Sequence, residues 1–167
     1  MGSSVVKPIR VLLVGLSGVG KTHFLDMLVY NADTTKQPTT GFYEVVHQSV
    51  CFVEYGGGVT TMLHTEPFDA VVYIVCGETY SKQQLLQAKS HLLGTLVRHT
   101  GVPLCVVIKS PKQNALGKVW KTMDLECLDP AIICMDFDKK ESFEEGCRKL
   151  FGWLKNLHTV TGNNATN

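Results

Sequence analysis

Apolar residues along this chain change period several times, and each change marks an element. Ile9, Val11, Leu12, Leu13 and Val14, interrupted only by Arg10, form a short β-branched run that stops at Gly15, as a central parallel strand does before a turn. Beyond Lys21 the apolar residues Phe24, Leu25 and Leu28 fall at helical spacing, so strand, glycine-rich turn and helix follow in that order. The polar stretch from Asn31 to Thr40 reads as a loop. Two β-rich runs, Phe42 to Val46 and Val50 to Tyr55, are separated by His47, Gln48 and Ser49 and predict an antiparallel hairpin, ended by Gly56, Gly57 and Gly58.

Ala70 to Val75 and Leu104 to Ile108 are two more buried-strand runs. Between them Leu85, Ala88, Leu92, Leu93 and Leu96 predict one face of a crossover helix, opened by Ser81 and Gln84 at capping-box spacing. The segment from Leu116 to Met123 reads as a short helix with Trp120 in the core. A last strand is expected over Ala131 to Met135, then a helix opened by a second capping box, Ser142 and Glu145, with Phe143, Cys147, Leu150, Phe151 and Leu154 on one side. Thr159 to Asn167 reads as a disordered tail, which sets the domain at residues 1–158. Alternating strands and helices with an early hairpin predict an α/β fold: a mostly parallel six-stranded sheet, one antiparallel edge hairpin, helices on both faces, and ligands at the carboxyl ends of the strands.

Composition narrows the class without changing that picture. A chain of 167 residues suits one domain, and 44% hydrophobic with 19% charged residues and a net charge of +1 argues against a disordered chain or a generic nucleic-acid binder. Apolar runs stay well short of the roughly 18 residues of a membrane span, and Met1 to Arg10 lack a signal-peptide apolar core, so a cytoplasmic protein is expected. The six cysteines, Cys51, Cys76, Cys105, Cys127, Cys134 and Cys147, fall mostly in apolar runs without a Cys-x-x-Cys pair, which predicts buried reduced thiols rather than a metal site or disulfide frame. Gly2 raises N-myristoylation, but Val6 stands where the acylation pattern wants Ser or Thr.

The chemistry-bearing motif is Gly15-Leu16-Ser17-Gly18-Val19-Gly20-Lys21-Thr22, which fits G-x-x-x-x-G-K-[ST] between a strand and a helix. Glycines let the backbone turn its N–H groups inward, and the helix N-terminus adds partial positive charge, so the loop can cradle phosphates. Lys21 is placed to reach the β- and γ-phosphates, and Thr22 to offer a hydroxyl to Mg²⁺. The bland alternative is a ligand-free glycine turn between strand and helix.

Pro38-Thr39-Thr40-Gly41-Phe42 follows the loop, and together with Gly15-Leu16 it resembles the Arf-like small GTPases, whose first switch reads P-T-x-G-F. The resemblance spans roughly Ile9 to Leu157. It implies the small-GTPase P-loop fold with GTP or GDP and Mg²⁺ as cofactors. It also implies nucleotide binding by Gly15, Ser17, Gly18, Val19, Gly20, Lys21, Thr22, Thr39, Gly57 and Lys112, with Thr22, Thr39 and Glu54 on the metal. Thr39 matches the switch threonine that senses the γ-phosphate.

Departures from the family pattern fall on its sensing positions. The second switch would begin Asp-x-Gly-Gly-Gln, and the matching run is Glu54-Tyr55-Gly56-Gly57-Gly58. Glu54 keeps a carboxylate near the metal with one extra methylene, whereas Gly58 offers no side chain to orient an attacking water, so weak or absent hydrolysis is expected and no catalytic residue is assigned. His64 and Glu66 lie on the same loop and read as solvated side chains rather than substitutes. The base motif N-K-x-D is replaced by Lys109-Ser110-Pro111-Lys112, so Lys112 presents donors where guanine needs an acceptor. Alternatively the stem of Lys112 covers the base, with Gln113 or Asn114 as a neutral contact. The motif after the last strand is matched only loosely by Cys134-Met135-Asp136.

Three readings follow. The first is an Arf-like GTP-binding switch or adaptor whose effector or complex reads the switch and hairpin surface, where Tyr43 and Tyr55 lie. It acts as a monomer, with membrane attachment at most peripheral and no nucleic-acid partner. The second is a pseudo-GTPase scaffold that no longer cycles. The third, a P-loop ATPase or kinase, needs lid arginines, whereas Arg10, Arg98 and Arg148 fall within predicted elements.

Overall fold

The computed structural model describes residues 7–30, 41–56, 67–110, 112 and 114–162. Six strands, β1 (Ile9–Val14), β2 (Phe42–His47), β3 (Val50–Tyr55), β4 (Ala70–Cys76), β5 (Leu104–Lys109) and β6 (Ala131–Met135), alternate with four helices, α1 (Lys21–Tyr30), α2 (Lys82–Arg98), α3 (Asn114–Met123) and α4 (Lys140–Gly162). The strands join in one sheet of order β2-β3-β1-β4-β5-β6, parallel throughout except for β2, which pairs antiparallel with β3 at one edge.

Each interior strand is apolar on both sides because helices cover both faces. Val11, Leu13, Val72, Val107 and Phe52 point into one core with Phe24 and Leu25 of α1 and Phe143, Leu150 and Leu154 of α4. Leu12, Val53, Val71, Tyr73 and Val106 point into the other with Leu85, Ala88 and Leu92 of α2 and Val119 and Met123 of α3. Phe24 is fully buried, and its ring packs at 5.7–6.0 Å from those of Phe52, Phe137 and Phe143, tying α1 to β3, α4 and the β6–α4 junction. These contacts fix the helix that follows the glycine loop against the sheet.

Several details differ from the pattern-based expectation. His47 joins β2 opposite Val50, leaving the two-residue turn Gln48–Ser49, both at positive φ (49° and 65°) as a type I′ hairpin requires. The α2 capping box forms as expected: Ser81 Oγ accepts from Gln84 N and the Gln84 side chain from Ser81 N. On the same helix Leu93 turns outward, 40% exposed, and the buried position is taken by Thr95, whose hydroxyl donates to His91 O.

The second box does not form. Helix α4 begins at Lys140, so Ser142 lies inside its first turn and its hydroxyl accepts from Asp136 N (2.9 Å), while Glu145 pairs with Lys149 (3.1 Å). The same helix runs to Gly162, so the boundary expected at residue 158 falls within a helix. All six cysteines are free; Cys51, Cys105 and Cys147 are buried, and burial pushes the thiols of Cys105 and Cys147 up to about 12. Cys127 and Cys134 are exposed, because the first closes a 3₁₀ turn and the second faces away from the core on edge strand β6.

Candidate functional site

Strand β1 delivers the chain to the glycine loop at the carboxyl end of the sheet, where parallel α/β sheets place their ligands. Gly15 is there because nothing larger fits: a Cβ would lie 2.7 Å from Ile74 O and 2.9 Å from Val19 Cγ1. Gly18 and Gly20 adopt φ of +78° and +104°, a region L-residues avoid. Between them Val19 is buried and its N–H donates to Leu16 O (3.2 Å), whereas Ser17 and Gly18 are exposed. Phe24 N donates to Gly20 O (2.9 Å) as the first bond of α1, leaving the N–H groups that open the helix directed along its axis toward the loop.

Lys21 folds back over the loop, its Nζ donating to Gly15 O (2.9 Å) and Leu16 O (3.2 Å). Burial pushes its pKa down, and the nearby Glu54 carboxylate partly opposes that shift. A half-buried ammonium held on two carbonyl oxygens of a glycine loop, at the N-terminus of a helix, is placed to receive an anionic group. Next to it, Thr22 Oγ1 lies 3.0 Å from both Glu54 carboxylate oxygens, joining α1 to the end of β3. Glu54 is nearly fully buried, at 3% exposure. A hydroxyl and a carboxylate converging there are the hard oxygen donors a Mg²⁺ ion takes, so the residues present fit that metal.

On the other flank, the base-motif positions close on themselves. Ser110 is buried; its hydroxyl accepts from Lys112 N (3.1 Å) and donates to Lys112 O (3.3 Å). The Lys112 ammonium makes an ion pair with Glu78 (3.0 Å), with 74% of the side chain exposed, so it turns away from the sheet. Asn114 is taken into the first turn of α3. Lys109 points the other way, its ammonium 5.1 Å over the ring of Phe137 and 3.4 Å from where a Cβ on Gly20 would lie.

The structure thus brings together Gly15, Ser17, Gly18, Val19, Gly20, Lys21, Thr22 and Glu54, and sets Lys112 apart on Glu78. Thr39, Gly57, Gly58, His64, Glu66, Pro111 and Gln113 lie outside the described residues. Sequence reasoning missed Phe137, which shapes the loop's flank with Lys109, because an aromatic after a short strand carries no motif signal. Glu78 was missed for the same reason. Tyr43 and Tyr55 are half-buried and pack against opposite cores.

Among solved structures, the small GTPase Arl6 BBS3 of Trypanosoma brucei, solved with the nucleotide analogue GppNp, superposes with a TM-score of 0.65 at 19% identity, covering 92% of this chain and 98% of that one. That likeness establishes the shared fold. No curated protein sequence matches the chain. The profile of the ADP-ribosylation factor family matches residues 2–129, from the N-terminal segment through the 3₁₀ turn that follows α3, and β6 and α4 complete the sheet and its cover beyond it. By that match over most of its length, the chain belongs to the ADP-ribosylation factor family.

Proposed function

We propose that this protein is an Arf-like nucleotide-dependent switch or adaptor that holds GTP or GDP on its glycine loop and hydrolyses it slowly or not at all. The observation carrying this reading is the joint placement of Lys21 over the loop and of Thr22 against Glu54 at the start of α1. In that reading the N–H groups around Gly18 to Thr22 cradle the α- and β-phosphates, and Lys21 leaves Gly15 O and Leu16 O for the β- and γ-phosphates. Thr22 and Glu54, joined by Thr39, hold Mg²⁺, which when bound neutralises phosphate charge. Gly58 leaves water unoriented by any side chain at that position.

The hairpin supports an effector surface. Val46 on β2 and Tyr30 at the end of α1 are each 61% exposed, and β2 is an open sheet edge. Among the described residues no helix is long and apolar enough to cross a membrane.

A second reading, a non-cycling scaffold without guanine preference, is favoured by Lys112, which stands in the sequence where the family has its acceptor for guanine and turns its ammonium onto Glu78. Titration of the nucleotide-stripped protein with fluorescent GTP, GDP and ATP analogues, with and without Mg²⁺, tests the first reading. Tight Mg²⁺-dependent binding that Lys21→Ala weakens by two orders of magnitude or more is expected. Equal weak binding of all three leaves the scaffold.

A further inference from the structure

We infer that Lys109 is a second cation of the phosphate site, reaching the phosphate next to the nucleoside and giving a contact that every nucleotide shares whatever its base. The inference rests on the nucleotide-binding reading above and adds to it a binding residue that the glycine-loop motif does not contain.

Charge balance carries the argument. Two half-buried lysines stand at the two ends of the glycine loop: Lys21 on Gly15 O and Leu16 O, which open it, and Lys109 beside Gly20, which closes it. Lys109 Nζ lies 3.4 Å from where a Cβ on Gly20 would stand, a point 3.8 Å from both His23 Cβ and Phe137 Cε2, so the ammonium rests against the loop itself. Lys21 has the Glu54 carboxylate nearby. Lys109 has no such partner: among the described residues no carboxylate comes within ion-pair distance of it. Glu78 holds Lys112 at 3.0 Å, Asp136 is buried, accepts from Asp138 N at 3.0 Å and faces Lys139 at 3.9 Å, and Asp138 is exposed to solvent. The charge of Lys109 meets the face of Phe137, 5.1 Å away. A ring face offsets only part of the hydration that a half-buried ammonium gives up, so an anion completes the position.

The fold assigns which phosphate that is. Thr22 and Glu54, the pair that fits Mg²⁺, lie on the β3 side of the loop. Lys109 is the last residue of β5, on the opposite side of β1 and across β4. A polyphosphate with its metal-bound end at Thr22 therefore turns its nucleoside-bearing phosphate toward Lys109. Phe137 is buried and packs on His23, Phe24 and Phe143 with ring distances of 5.9, 5.7 and 5.8 Å, so the ammonium sits on a rigid platform. A lysine suits this task because its ammonium acts on phosphate as a point charge.

The experiment measures dissociation constants of the nucleotide-stripped full chain for the Mg²⁺ complexes of GTP, ATP and inorganic tripolyphosphate, at low and high salt, for wild type, Lys109→Met and Lys109→Arg, with urea unfolding of each variant alongside. Lys109→Met is expected to weaken all three by the same factor, about ten- to 150-fold, the span of one hydrogen bond to a charged group. That factor shrinks at high salt, where the lost charge is screened in wild type too, and Lys109→Arg, which keeps the charge, retains most of the binding. Loss of GTP or ATP affinity with tripolyphosphate unchanged overturns the inference, because Lys109 then touches the nucleoside. An equal loss in all three that salt leaves constant, with a lowered unfolding midpoint, overturns it as well, because Lys109 then only supports the loop. Binding unchanged in Lys109→Met but abolished in Lys21→Ala overturns it while leaving the nucleotide reading intact. Failure of the wild type to bind any of the three removes that reading too.

Discussion

Shortening Glu54 to aspartate isolates how this chain handles its metal. In the structure Thr22 Oγ1 is 3.0 Å from both carboxylate oxygens, a charge-assisted contact that must open before the hydroxyl turns to Mg²⁺. Removing one methylene withdraws the carboxylate by up to about 1.5 Å, one carbon–carbon bond, so the contact stretches to roughly 4.5 Å and is lost. Hydrogen bonds to charged groups contribute about 1.5–3 kcal/mol. Thr22 is half-buried rather than buried, which places the expected effect near the lower end, about a tenfold gain in Mg²⁺ affinity. The assay is the free-Mg²⁺ dependence of the dissociation rate of a fluorescent GTP analogue, compared for wild type, Glu54→Asp and Glu54→Gln. Glu54→Asp is expected to move the midpoint to lower Mg²⁺, and Glu54→Gln, which keeps the length and loses the charge, to raise it. A midpoint unchanged or raised in Glu54→Asp refutes the competition between Thr22 and the metal.

Three further outcomes follow from the geometry. Gly15→Ala puts a methyl 2.7 Å from Ile74 O, a backbone atom that cannot swing aside, and is expected to cost about 1–3 kcal/mol in urea unfolding and to weaken nucleotide binding; an unchanged midpoint contradicts the close packing of β1 on β4. Phe24→Ala empties the junction of four aromatic rings and is expected to cost about 3–5 kcal/mol, read by the same unfolding assay. Burial, helped for His91 by Lys21 and Arg98 and for His99 by Arg98, holds both imidazoles below the ordinary 6.5. The unfolded chain therefore binds more protons as pH falls below 6.5, and these groups contribute stability above that value which is lost on acidification toward their folded pKa. Melting temperature is expected to fall between pH 7.5 and 5.5, and His91→Gln with His99→Gln to flatten that fall; an equal slope in the double variant refutes the assignment.

Local information determined a great deal. Runs of β-branched residues with helical stretches between them specify strands buried on both faces, because period and burial are properties of neighbours in sequence. The phosphate loop is legible for the same reason: Gly15 to Thr22 are contiguous, and glycine spacing with a terminal Lys-Thr states its geometry before any folding. Ser81 and Gln84 announced the start of α2 because both partners of the box lie within one turn.

Whatever depends on distant partners was decided only by the tertiary structure. Ser142 and Glu145 have capping-box spacing too, yet Asp136, brought close by the end of β6, took the Ser142 hydroxyl and let the helix begin earlier. Leu93 and Thr95 exchanged roles because the angle at which α2 meets the sheet selects the buried residues, and composition carries no record of that angle. Thirty-two positions separate Thr22 from Glu54, and their contact exists because β1 and β3 pair in parallel. Lys112 and Lys109 look alike in sequence as replacements in the base motif. Only the fold turned one onto Glu78 and the other over Phe137, since a side chain's direction at a strand end is set by the elements it meets.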